Sequence, residues 1–165
     1  NWEAVIEAVE ILKTDERFHF LLVGGGPKFE YLSKKAKDYS NLDVWPYQER
    51  HLVPPINSRI DLHLISMNRV SDYDGLPSKV FAILASERPI LAATNQDSPL
   101  ANLVVRSDLG TVVKRDDGQA IADGIVKVEA NYFSAEELKK GRDFVTNGYS
   151  VEIVTQKYVE LIQSL

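Results

Sequence analysis

The feature that most limits how this chain can fold is an alternation. Short apolar runs recur along it, and each is followed by a stretch with helical spacing. The runs are residues 18–23, Leu42–Trp45, 60–65, 89–93 and 109–113. Helical patterns fall at 28–38, 77–86, 98–105 and 120–128, and two more, 135–146 and 150–163, close the chain. A short helix over 49–57 is made irregular by Pro54-Pro55, because proline cannot donate its backbone hydrogen bond. Continuous apolar strands separated by helices mark a parallel sheet covered on both faces. The pattern predicts an α/β domain, a Rossmann-like doubly wound parallel sheet, with Val23, Val44, Ile65, Leu91 and Val112 in the strands of a single sheet. The helix over 77–86 is apolar almost all round and is expected to be buried. In the last helix Val151, Val154, Tyr158 and Leu161 follow a 3-4-3 spacing, which predicts one buried face.

Composition narrows the class. A chain of 165 residues is one domain by length, since domains run to roughly 100–200 residues. The 19 Lys and Arg stand against 24 Asp and Glu, a net charge of −5. That balance argues against a domain built to grip nucleic acid. Cysteine is absent, which removes disulfides, thiolate metal sites and a cysteine nucleophile and suits a cytoplasmic protein. No apolar run approaches the ~18 residues of a membrane span, and no signal peptide is visible. Trp2, Val5, Ile6, Val9 and Leu12 already lie on one helix face. A helix without the strand that should precede it leads us to expect a piece of a longer protein.

Two loops attract attention, because ligands of open α/β sheets bind beyond the carboxyl ends of the strands. The first is Gly24-Gly25-Gly26-Pro27. Glycines let a ligand approach backbone closely, and the helix that follows presents unpaired N–H groups. Phe29 stands where a dinucleotide fingerprint needs its third glycine, and no Gly-Lys-Ser/Thr follows as in a P-loop. A tight strand-to-helix turn explains the motif equally well. The second loop is Asp72-Tyr73-Asp74-Gly75-Leu76-Pro77-Ser78-Lys79. Pro77 suits a first helical turn. The Ser78 hydroxyl and Lys79 ammonium can meet a phosphate there, and Asp74 can accept hydrogen bonds from sugar hydroxyls. On the simpler reading, which these residues alone favour slightly, Asp72 and Asp74 are solvated turn residues and Lys79 a surface charge. His19, His51 and His63 share no metal-ligand spacing. His19 and His63 read as strand residues, and the pairs Asp116-Asp117 and Glu136-Glu137 as helix caps or solvated charges.

The stretch from Asp74 to Ala92, Asp-Gly-Leu-Pro-Ser-Lys-Val-Phe-Ala-Ile-Leu-Ala-Ser-Glu-Arg-Pro-Ile-Leu-Ala, resembles the donor segment of family-four (group 1) glycosyltransferases of the GT-B fold. The likeness runs in order along nearly the whole chain. Phe20 to Pro27 resembles that family's glycine turn, Asn41 to Gln48 its next strand and turn, and Asp61 to Ser66 the strand after that. Gly141 to Val145 and Tyr149 to Glu152 resemble its closing helices. The Pro-Ser-Lys variant is similar to capsule, exopolysaccharide and colanic-acid type enzymes.

This resemblance implies one half of a GT-B architecture. Residues 1–165 would be the nucleotide-sugar-binding, C-terminal domain of a longer enzyme, and the acceptor domain and first strand would lie outside the sequence. The whole enzyme would be a retaining hexosyl-type transferase in cell-surface polysaccharide or glycan synthesis, and this chain alone would be inactive. The donor would be a UDP- or GDP-sugar, with no metal and no further cofactor. The acceptor would be a glycan or a lipid-linked molecule, with no nucleic-acid partner. The enzyme would be cytoplasmic, with room for peripheral contact to the cytoplasmic membrane. Carried over by motif, Asp74 is the catalytic candidate facing the sugar. Gly25 and Gly26 lie near the phosphates or sugar, Tyr47 and Gln48 by the base, and Gly75, Leu76, Pro77, Ser78 and Lys79 by the diphosphate. Three departures stand out. Ala82 replaces the second glutamate of the E-x7-E motif, Glu87 replaces a glycine, and an upstream Arg/Lys pair is missing. They open an alternative, a degenerate, non-catalytic domain that serves as a protein-interaction module. An unrelated oxidoreductase domain is argued against by the incomplete glycine fingerprint.

Overall fold

A computed structural model describes the chain except for Asn1, Ser71, Asp74, Tyr132 and Leu165. Asp74, the catalytic candidate, therefore lies outside the described residues. Among the described residues five strands alternate with helices as expected. Helix α1 (Trp2–Ile11) precedes β1 (Phe20–Val23), α2 (Phe29–Ala36), β2 (Leu42–Trp45) and, after a 3-10 turn at Arg50–Leu52, α3 (Val53–Arg59). Then come β3 (His63–Ser66), α4 (Lys79–Ala85), β4 (Ile90–Ala93), α5 (Pro99–Arg106) and β5 (Gly110–Val113). Helices α6 (Gly118–Ala130), α7 (Ala135–Tyr149) and α8 (Val151–Gln163) finish the chain.

All strand pairing is parallel, but it does not form the single sheet expected. β1 pairs with β2, and β4 lies between β3 and β5 in a second ladder. The two ladders meet through side chains: Phe20 and Leu64 pack into the same apolar cluster as Leu91 and Ala93. The three-stranded ladder carries the core. Ile90, Leu91, Ala92 and Ala93 of β4 are all fully buried, which is why that run reads as continuously apolar. Each of its larger side chains contributes roughly 1.5–3 kcal/mol by leaving water. One face of this ladder packs with α4 and α5, through Ile65, Val80, Leu84, Leu100 and Val104. The other packs with α1 and α6, through Ala4, Ala8, Ile121 and Ile125.

Two helices depart from expectation. In α4, Val80, Ile83 and Leu84 are buried, but Ala82 and Ala85 are exposed. Alanine is apolar enough to suggest a core helix and small enough to cost little at the surface. In α8 no residue is buried. Val151 is 77% exposed, Tyr158 64% and Leu161 58%. The helical period is present, but the described residues offer α8 only α7 as an extensive neighbour.

The caps behave as the sequence suggests. The Asp117 carboxylate accepts from Ala120 N–H at 2.9 Å. Ser134 and Glu137 form a capping box at the start of α7. The apparent anomaly at Glu87 also has a reason. Its φ is +57°, and its N–H donates to the Leu84 carbonyl at 3.0 Å. This is the left-handed residue that ends a helix, a place where glycine is cheapest.

Candidate functional site

Beyond the carboxyl end of β1 the chain turns through its glycines. Gly24 N–H donates to the Trp45 carbonyl at 3.0 Å, which extends the β1–β2 ladder by one step. Gly26 has φ +97°, a conformation L side chains rarely adopt. Its carbonyl accepts from Phe29 N–H at 3.0 Å and so opens α2. The turn is bare, and one ring uses that. A β-carbon on Gly25 would stand 2.7 Å from Cε2 and 2.8 Å from Cδ2 of Tyr47. The Tyr47 ring therefore lies directly on the Gly25 backbone, while 80% of the residue remains exposed. Two residues that the resemblance assigns to one nucleotide site are thus brought together. Gln48 stays beside them, its amide donating to the Pro46 carbonyl at 2.9 Å. A cavity of about 150 Å³ opens at this turn, lined in part by Trp2, Val23, Gly24, Gly25, Phe29 and Val44.

The loop after β3 is built differently. It begins at buried Met67, whose N–H donates to the Ala93 carbonyl at 2.9 Å. It returns to the core through Leu76, which packs against the cluster around Ile65 and Val80. Between them Asp72 is 1% exposed, not a solvated turn residue. One Asp72 carboxylate oxygen accepts from the Thr94 hydroxyl at 2.6 Å, and the other is paired with the Arg115 guanidinium. Thr94 is 3.0 Å from the Ser98 hydroxyl, and Ser98 in turn caps α5 by accepting from Ala101 N–H. Asn95 donates to the Tyr73 hydroxyl at 2.6 Å. Arg69 and Arg115 flank Asp116 at 3.7 and 3.4 Å. The loop is therefore pinned to the ends of β4 and β5.

Gly75 has φ +127°, Leu76 and Pro77 are partly buried, and Ser78 is exposed. Ser78 makes no capping hydrogen bond to α4. Lys79 reaches solvent, yet the protein packed around its stem lowers its pKa from the ordinary lysine value by desolvation. Gly75 to Lys79 do not line the cavity at the glycine turn. His63, at the amino end of β3, is a structural histidine. Its Nε2–H donates to the Asn57 carbonyl at 3.1 Å. Burial lowers its pKa, and the charges of Lys79 and Arg88 add to that. His19 precedes β1 and contacts Asp43 at the surface. Among the described residues, no group of three or more His, Asp or Glu is arranged to hold a metal.

Thr94, Ser98 and Arg115 were not legible as site residues. They stand far from Asp72 in sequence, and nothing local marks any of them.

The family model for group 1 glycosyl transferases matches residues 1–151. The chain belongs to the group 1 glycosyl transferases. Among curated proteins, none matches it in sequence. Solved structures share the fold of this glycosyl transferase domain. One is Anabaena Alr3699/HepE in complex with UDP-glucose, with a TM-score of 0.76 and 16% identity over 99% of this chain and 45% of that one. A second is the C-terminal domain of the group 1 glycosyl transferase LpcC from Francisella tularensis, with a TM-score of 0.66 and 15% identity over 90% of this chain and 78% of that one. A third is the pneumococcal O-GlcNAc transferase GtfA in complex with UDP and GlcNAc, with a TM-score of 0.67 and 17% identity over 99% and 33%. The glycosyl transferase domain thus spans less than half the length of HepE. No helix among its described residues is long and apolar enough to cross a membrane.

Proposed function

We propose that this chain is the donor-binding domain of a glycosyltransferase that takes a nucleoside-diphosphate sugar. In the full reaction the bond from the anomeric carbon to the diphosphate breaks. A bond to an acceptor hydroxyl oxygen forms, that hydroxyl loses its proton, and the nucleoside diphosphate leaves. The observation that carries this reading is the bare glycine turn with Tyr47 lying on Gly25. Backbone N–H groups and an aromatic face suit a phosphate and a planar base. Family membership supports it, as do the UDP and UDP-glucose bound by solved structures of the same fold. On this reading Gly25, Gly26, Tyr47 and Gln48 serve the nucleotide. Gly75, Leu76, Pro77, Ser78 and Lys79 serve the diphosphate without a metal, and Asp74 faces the sugar. Transfer with retention, a capsule, exopolysaccharide or colanic-acid type product, a cytoplasmic site of action and an acceptor held by a second domain belong to the same proposal. A chemical-shift titration with UDP, GDP, UDP-glucose and GDP-mannose tests it. Shifts gathered at residues 24–26, 47–48 and 75–79 are expected, and no shift with any of the four at millimolar concentration would refute it.

A degenerate, non-catalytic interaction domain is the second reading, and Ala82 favours it. The exposed Ala82 methyl group can make no hydrogen bond to a ribose. Because the position is open, Ala82→Glu has room. A lost hydrogen bond is worth about 0.5–1.5 kcal/mol, up to ~3 if charged, or roughly 2- to 150-fold in affinity. Tighter nucleotide binding by Ala82→Glu supports a weakened donor site, whereas silence from both forms supports the interaction module.

A further inference from the structure

The loop after β3 carries a polar network more deeply buried than a connecting turn needs. Asp72 and Thr94 are each 1% exposed and Ser98 is fully buried. The Arg115 side chain is only 21% exposed. A buried ion pair is poor evidence of stability, because apolar residues of similar volume stabilise as well or better. Its distinctive property is direction. Here the carboxylate is fixed on two sides, by the Thr94 hydroxyl at 2.6 Å and by the Arg115 guanidinium. Both partners stand at the carboxyl ends of neighbouring strands, β4 and β5. The Asp72 N–H also donates to the Asn68 carbonyl at 3.2 Å, so the backbone is held together with the side chain. Of the described residues that follow, Tyr73 is held by Asn95 and Leu76 by its packing on the core.

We propose that Asp72 and Arg115 are positioning residues. Their buried pair latches Tyr73 and residues 75–79 to the ends of β4 and β5, so that a nucleoside-diphosphate sugar meets these residues already in their binding conformation. This rests on the donor-binding reading above. Neither residue touches the ligand; both act through the loop. Without the latch the competent loop conformation is one among several, and apparent affinity falls by the fraction of time it is populated.

The test uses the full chain, with UDP, UDP-glucose and GDP-mannose as probes, and compares Arg115→Met, Asp72→Asn and Thr94→Val. Arg115→Met leaves Asp72 buried without its cation. Asp72→Asn keeps the shape and the acceptor for Thr94. Thr94→Val removes one hydroxyl with little change of volume, and is the variant to rely on if Arg115→Met does not fold. A loop populated about a tenth of the time weakens UDP-glucose binding about tenfold. That is the result expected for Arg115→Met, with smaller losses for the other two. Hydrogen exchange is expected to quicken by a larger factor at the Tyr73, Gly75 and Leu76 amides than in β4, whose protection falls only with the global stability. Unchanged binding with a quickened loop would overturn the proposal, and so would protection lost across β4 and loop alike, which marks a merely structural role. If the wild-type chain binds neither UDP-glucose nor GDP-mannose, the donor reading fails and this inference with it. Wild-type binding that all three folded variants match overturns the latch alone.

Discussion

The loop after β1 and the loop after β3 both leave the carboxyl end of a parallel strand and both lead into a helix, yet opposite means hold them. The first is shaped by what is missing. Gly25 has no β-carbon, so the Tyr47 ring can rest on its backbone, and Gly26 takes a φ of +97° that other residues resist. The second is shaped by what is buried, a carboxylate, a hydroxyl and a guanidinium that lock together beneath the surface. A glycine turn exposes backbone to a ligand but fixes it weakly. A buried pair fixes a long loop firmly, at the cost of desolvating two charges. Both devices therefore serve one edge of the fold, one giving access and the other giving position.

Substitutions can break or sharpen that contrast. The largest effect is expected from Asp72→Ala, which takes from Arg115 its buried partner and leaves it only Asp116. Breaking a buried pair from one side costs about 3–5 kcal/mol, to be read from urea denaturation. A loss below about 1 kcal/mol, the range of an exposed pair, would mean that the second loop is held no more firmly than a surface turn. Next is Gly26→Ala, which forces a β-carbon into the left-handed region at a cost of about 1–2 kcal/mol. Glu87→Gly, at the far end of α4, should work in the other direction and raise stability by about 0.5 kcal/mol. Relief of the strained φ is there partly offset by glycine's flexibility and by loss of the exposed contact with Arg142. Its nucleotide affinity should not change, which separates the stability of α4 from the setting of the loop before it.

The smallest effect concerns pH. His63 has a folded pKa below its ordinary 6.5, because burial disfavours the charged ring. As pH falls through 6.5 the unfolded chain takes up this proton first, so the unfolded state gains and stability drops. Denaturation curves between about pH 7.5 and 5.5 should therefore slope less in His63→Gln than in the wild type.

Most of the fold was legible because burial on both faces of a parallel ladder demands unbroken apolar runs, and β4 displays the rule in pure form. The break between β2 and the rest was not, since side-chain periodicity says which faces are buried but not which strands share hydrogen bonds. The same limit explains α8, whose apolar stripe is visible in sequence while the surface it needs is not. At the candidate site, Gly25 and Tyr47 are both expected at the nucleotide, and the structure supplies their contact. Asp72 was misread as a solvated turn residue. Its partners Thr94 and Arg115 follow two later strands, and only the folded ladder brings them to it.

The glycine turn also makes the protein its own reporter. The chain has two tryptophans, and one of them, Trp2, has its side chain at this turn. Trp2 lines the cavity beside Gly24 and Gly25, and the Trp45 carbonyl receives the Gly24 N–H. Both indoles remain partly open to solvent, at 38% and 44% exposure. The Trp2 emission therefore originates at this turn. A ligand that enters there alters the solvent contact of that indole directly. An unlabelled fluorescence titration reports the entry in a single cuvette.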